Sequence, residues 1–254
     1  MGLLHIFLAC GLLRGILGIN MTEECIPKLV RAETEDPVIL DCKYEMGSSP
    51  NTSLVIKWYI GDDLLYQWIY GDKPKASQEF KKYIDEKYKA SDNPVTMYRA
   101  VKLVRPGHEL SGNVRCVIST QYTEVEASNK MLVYSPEKLL RFSHPRQNGS
   151  PGNLTLTCLA EELYPSPTIT IRRDQKPIER QEHNYQNTAD GRFTVEAIAH
   201  VEVNETQLPT TFQCEVSIPE ANYTSIREYV YNGGDLPCLS LLAVMVGAII
   251  ISRQ

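Results

Sequence analysis

Val38-Ile39-Leu40-Asp41-Cys42-Lys43-Tyr44, Leu54-Val55-Ile56-Lys57-Trp58-Tyr59 and Val114-Arg115-Cys116-Val117-Ile118 are the three runs whose reading decides the fold. Side chains of an extended chain point alternately to its two faces, so apolar residues at every second position mark a half-buried strand. Val38, Leu40, Cys42 and Tyr44 share one face of the first run, and Val114, Cys116 and Ile118 share one face of the third. Trp58 lies on the strand between them. A cysteine, a tryptophan and a cysteine on successive half-buried strands point to a disulfide that joins two sheets, with the indole packed against it. That is the signature of an immunoglobulin sandwich. The long interval from Cys42 to Cys116 leaves room for the extra C′ and C″ strands of a variable-type domain.

The logic repeats over a shorter interval between Cys158 and Cys214, as a seven-stranded constant-type domain requires. Leu154, Leu156 and Cys158 share one face. Phe193, Val195, Ala197, Ala199, Val201 and Val203 form the apolar face of a long strand E, and Phe212, Cys214, Val216 and Ile218 that of strand F. Ile171 stands where the core tryptophan is expected, and Phe212 replaces the corner tyrosine; Val114 stands at that corner in the first domain. Trp58, Ile171 and Phe212 are the expected core residues. The expected fold class is all-β, two tandem immunoglobulin-like sandwiches, variable type (27–135) then constant type (136–231), joined by the short Ser135-Pro136 linker.

The chain has 254 residues and seven cysteines, an odd number that cannot all pair within one molecule. Residues 1–18 read as a secretory signal peptide, an apolar stretch with small residues at Gly15 and Gly18. At the other end, the apolar run from Leu239 to Ile251 is shorter than the roughly 20 residues a transmembrane helix needs. Small residues at Asn232, Gly233 and Gly234, a short polar spacer and a terminal apolar tail fit a glycosylphosphatidylinositol signal, with Asn232 as attachment site and 233–254 removed. Cys10 then leaves with the leader and Cys238 with the tail. Cys25 is the leftover, read either as a free thiol or as an intermolecular disulfide. Sequons at Asn20, Asn51, Asn148, Asn153, Asn204 and Asn222 agree with secretion. Asn20 lies close to the expected cleavage site, which leaves Asn51, Asn148, Asn153, Asn204 and Asn222 as the candidate glycosylation sites.

The first domain carries a more specific resemblance. Val55-Ile56-Lys57-Trp58-Tyr59, then Tyr66-Gln67-Trp68-Ile69-Tyr70, Pro74, Phe80 and Ile84-Asp85, closing on Glu109-Leu110-Ser111-Gly112-Asn113-Val114-Arg115-Cys116, resembles the arthropod Beaten path family. It departs from that family at Val114, where the family has tyrosine, and in its lysine-rich stretch from Lys73 to Lys89. The resemblance implies a neuronal surface or secreted protein that binds Sidestep-type immunoglobulin receptors in axon guidance.

The net charge of −5 lacks the basic excess that phosphate binding needs, so nucleic acid is not an expected partner. No nucleophile elbow, His-Glu-x-x-His, Walker loop or Gly-x-Gly-x-x-Gly occurs, and the four histidines after the leader have no metal-ligand spacing. Neither catalysis nor a metal or cofactor is expected. Tyr66, Trp68 and Tyr70 share one face of the C′ strand, with Leu65, Gln67 and Ile69 on the other. If the aromatic face looks outward it is the partner-binding surface, since rigid aromatics make binding hot spots; if inward, it is packing. Lys73, Lys75, Lys81, Lys82, Lys87 and Lys89 read as a solvated loop, or as a site for an acidic partner or heparan sulfate should they converge. The expected function is heterophilic recognition at the cell surface, with an immune-type receptor or co-receptor, or a soluble secreted binding protein, as alternatives.

Overall fold

The computed structural model describes residues 18–47, 53–147 and 153–232. The leader up to residue 17, the tail from 233, Cys10, Cys238, Asn51 and Asn148 lie outside the described residues. The first sandwich comprises β1 (Asn20–Cys25), β2 (Leu29–Arg31), β3 (Val38–Glu45), β4 (Val55–Ile60), β5 (Asp63–Ile69), β6 (Lys75–Ala76), β7 (Val101–Leu103), β8 (Gly112–Ser119) and β9 (Glu124–Tyr134). A back sheet in the order β1-β3-β7 faces a six-stranded front sheet in the order β2-β9-β8-β4-β5-β6. The second comprises β10 (Leu139–Gln147), β11 (Asn153–Leu163), β12 (Thr168–Arg173), β13 (Lys176–Pro177), β14 (Gln181–Asn187), β15 (Phe193–Glu202), β16 (Thr210–Ile218) and β17 (Tyr223–Tyr231). Its two four-stranded sheets run β10-β11-β15-β14 and β13-β12-β16-β17.

Each sandwich is closed by one disulfide between its sheets, Cys42 to Cys116 (β3 to β8) and Cys158 to Cys214 (β11 to β16). Trp58 pairs with Cys116 across β4 and β8 and is fully buried. Ile171 and Phe212 are fully buried in the second core. Burying side chains of this size removes apolar surface from water at roughly 25 cal/mol per Å², the main term that offsets chain entropy.

Strand β5 overturns one expectation. Trp58 pairs with Tyr66 but the next residue, Tyr59, pairs with Leu64, so Leu65 is an extra residue in β5. The bulge resets the period-two alternation, and Leu65 and Tyr66 both turn inward. Beyond it Trp68, opposite Ile56, points into the core while Gln67 and Ile69 point out. Tyr66 and Trp68 are each 2% exposed, and Tyr70 packs against the same core. The expected partner-binding residues Tyr66, Trp68 and Tyr70 are therefore packing residues, because the partners opposite them on β4, Trp58 and Ile56, are committed to the core.

The room allotted to a C″ strand is also used differently. β6 is only two residues long, and from there to β7 the chain is irregular apart from a 3-10 turn at Lys81–Tyr83. Buried backbone without strand partners must find other hydrogen bonds. Aromatic side chains of the core supply them: Tyr44 Oη donates to the Val95 carbonyl, Trp58 Nε1 to that of Arg99 at 2.9 Å, and Tyr66 Oη to that of Tyr98 at 3.0 Å. Burial pushes the Tyr44 and Tyr66 phenols well above their ordinary range, so both keep the proton they donate. Arg99 is fixed in turn by a bidentate pair with Asp41 at 2.8 and 2.9 Å.

The linker is tied down as well. Ser135 and Tyr164 exchange backbone hydrogen bonds of 2.9 and 3.0 Å, and Tyr223, its ring 5.8 Å from that of Tyr134, donates to Glu137. Burial and the Glu137 charge push the Tyr223 phenol up to about 12. His108 Nε2 lies 2.8 Å from the Asp190 carbonyl, which can only accept, so this nitrogen is the donor. Arg192 bonds Asp190 and reaches Glu162, which Lys138 also holds at 2.8 Å. Domain two thus meets domain one through a polar network that flanks the linker.

Two outcomes are expected. Trp68→Ala should cost about 3–5 kcal/mol and abolish secretion, whereas Tyr66→Phe, which removes only the donor, should cost about 1 kcal/mol in urea unfolding. Hydrogen bonds from Lys138 and Arg192 hold the Glu162 and Asp190 carboxyls below their ordinary values. A depressed folded-state pKa stabilises above the unfolded value and is lost as pH falls through the folded one. The contribution of these pairs to the stability of the second domain, followed by urea unfolding, should therefore be constant from neutral pH down to about 4.5 and decline only in stronger acid.

Candidate recognition face

The outer face of the front sheet follows from the same register that buries Trp58 and Cys116. Their strand neighbours point the other way, which puts Val55, Lys57 and Tyr59 of β4 and Arg115 and Ser119 of β8 on the outer surface, with Val117 on the same side but covered by its neighbours at 7% exposure. Tyr59 lies opposite Arg115, and the guanidinium sits 4.7 Å from the centre of the phenol ring. Arg115 Nη1 also donates to Glu126 of β9 at 3.1 Å. Lys57, Val117 and Glu126 form the next row, and Ile69, Val55 and Ser119 the one beyond it.

The chemistry of this face is mixed. Ile69 is 39% exposed, and an aromatic ring, aliphatic side chains and charges of both signs stand on rigid strands. A mosaic of this kind, with an aromatic and an arginine among apolar residues, is the composition of protein contact surfaces. Tyr122 extends it at the β8–β9 turn, where Thr120 and Thr123 close the hairpin and leave the ring 69% exposed.

Among the described residues no sequon falls on the strands of this sheet. Asn153 opens β11 opposite Glu202, Asn204 follows two residues after that strand partner, and Asn222 caps the turn before β17 with a left-handed φ of 48°. Among the described residues no three His, Cys, Asp or Glu side chains gather as a metal site would require. His200 is exposed and bonds Thr155.

Four of the face-forming residues, Tyr59, Ile69, Arg115 and Tyr122, were missed when the sequence was read for recognition. Parity alone marks Tyr59 and Arg115, since each is next to a residue that must be buried. The ring–guanidinium contact needed the strand register, and Ile69 needed the facing of β5.

Residues 143–223 match the family described as CD80-like C2-set immunoglobulin domain. No curated protein matches the chain. Among solved structures, bovine butyrophilin is similar with a TM-score of 0.62 at 15% identity, over 84% of this chain and 98% of that one. Mouse nectin-like molecule 4, as its three-domain ectodomain, gives 0.56 at 14% identity over 81% of this chain and 66% of its own. The chain is a tandem immunoglobulin-domain protein. Both solved structures share its immunoglobulin-like sandwich fold. Two disulfides between sheets fit an oxidising, extracellular or cell-surface setting. Among the described residues no helix is long and apolar enough to cross a membrane.

Because Arg115 is about one-third exposed, Arg115→Ala should change unfolding free energy by less than about 1 kcal/mol. Secretion at the wild-type level is the corresponding readout in cells.

Proposed function

We propose that this protein is a glycosylated cell-surface recognition molecule that binds an immunoglobulin-superfamily receptor heterophilically through the outer face of its first domain. The observation that carries the reading is the front face built on Tyr59, Arg115 and Ile69, whose strands hold no sequon among the described residues. Glycans at Asn153, Asn204 and Asn222 would coat the second domain. A lipid anchor at Asn232 is supported by that residue's exposure directly after Tyr231, the end of β17. An anchor of this kind carries no cytoplasmic segment, so the protein acts as a ligand or beside a transmembrane co-receptor.

The Beaten path resemblance of the first domain favours a Sidestep-type partner and a role in axon guidance or synaptic partner choice. A second reading, an immune-type receptor or co-receptor, is favoured by the CD80-like match and the likeness to butyrophilin. Both readings use the same face and differ in the partner.

The deciding experiment screens the whole ectodomain against the immunoglobulin-superfamily surface proteins of the source organism, in parallel with Arg115→Glu and Tyr59→Ala. A partner that binds wild type and loses at least tenfold in affinity with either variant, at unchanged secretion, is the expected result. Full binding by an isolated second domain would overturn it.

A further inference from the structure

The β6 edge of the first domain carries a further feature. Two Lys-x-Lys triplets occur there, Lys73-Pro74-Lys75 leading into β6 and Lys87-Tyr88-Lys89 in the irregular stretch that follows it. In each the middle residue turns inward, with Pro74 buried and Tyr88 half-buried, and both lysines are exposed. One hydrogen bond brings the triplets side by side: the Ala76 amide donates to Glu86 Oε1 at 2.8 Å. Ala76 and Glu86 each adjoin a triplet, so the bond joins their neighbouring ends.

These four lysines have no carboxylate within ion-pair distance among the described residues. The nearby acids are largely engaged elsewhere, Asp85 with Lys102 at 3.5 Å and Glu86 with the Ala76 amide. Lys81 and Lys82 project from the 3-10 turn of the same segment, Lys82 shared between Glu109 and the face of Tyr83. Glu86 keeps its charge while it accepts from the amide, so residues 72–89 set six lysines against four carboxylates, a local surplus on a chain whose net charge is −5.

The segment is rigid for an irregular one. Tyr44, Trp58 and Tyr66 hold its C-terminal part, and the Asp85 amide bonds the Lys102 carbonyl at 3.0 Å. The cations are therefore displayed at fixed positions, so little backbone entropy is lost on binding.

We propose that this edge is a binding site for a sulfated polysaccharide of the glycosaminoglycan type. A clustered, hydrated set of lysines suits a flexible polyanion, whose affinity comes from releasing its counterions. An acidic protein fits less well, because no large apolar side chain is exposed between Gly71 and Ala90 to anchor a buried contact. The site adjoins the front face, since Lys75 continues the outer row of Lys57 and Gln67 at the β6 edge.

The test applies the full-length protein, solubilised from expressing cells, to heparin resin at about 0.15 M ionic strength. Wild type should be retained and eluted by added salt. The variant K73E/K75E/K87E/K89E should pass through, and K73Q/K75Q/K87Q/K89Q should elute at clearly lower salt than wild type. A charge-matched control at distant exposed sites, K28E/R141E/K176E/R180E, should elute as wild type does. Soluble heparin should release the protein at concentrations where desulfated heparin and polyglutamate do not. Wild-type flow-through, equal loss in patch and control variants, or equal competition by polyglutamate would each overturn the proposal.

Discussion

Three side-chain-to-backbone hydrogen bonds carry the first domain. Tyr44, Trp58 and Tyr66 bury their rings between the sheets and extend their polar tips to the carbonyls of Val95, Arg99 and Tyr98. A buried hydroxyl or indole N–H left unpaired costs roughly 1–3 kcal/mol, and so does a buried carbonyl. Here each satisfies the other. The chain can consequently leave strand geometry after Ala76 and return to it only at Val101, without exposing the core or stranding its own polar groups.

This arrangement divides the work of the domain between two layers. Aromatics that could have served as contacts are spent on packing, including Trp68 and Tyr70, which meet edge to face with ring centres 6.3 Å apart. The opposite face of the same sheet carries Tyr59 and Arg115, which stack across β4 and β8 and are proposed as contacts. The irregular segment gains a role of its own, because a fixed backbone at a sheet edge can present charge where a regular C″ strand would present alternating side chains.

Much of this was legible in the residues. Period-two apolar runs and the order Cys42, Trp58, Cys116 are local or periodic signals, and so is the second pair of cysteines; both sandwiches follow from them. The alternation from Tyr66 to Tyr70 was legible but its facing was not, because the inward side is set by the partners opposite on β4, Trp58 and Ile56, and the extra Leu65 also turns inward where alternation placed it with Gln67 and Ile69. That bulge is stabilised by partners far away in sequence, such as Tyr98, 32 positions from Tyr66. The same limit hides the contact of His108 with Asp190, 82 positions apart, and the meeting of the two lysine triplets. The recognition face lies between these cases. Its parity is written beside Trp58 and Cys116, while its pairing into rows depends on register.

Hydrogen exchange of the stretch from Ser77 to Ala100 tests the central claim most directly. The amides of Tyr83 and Ala90 bond carbonyls within this irregular stretch, outside any strand pairing, whereas that of Asp85 makes a single antiparallel bridge to β7 and serves as the internal reference. If the aromatic tethers make the segment part of the core, the amides of Tyr83 and Ala90 should exchange as slowly as those of Asp85, β4 and β8, through global unfolding. Exchange at the rate of an open loop, with the strands still protected, would contradict it.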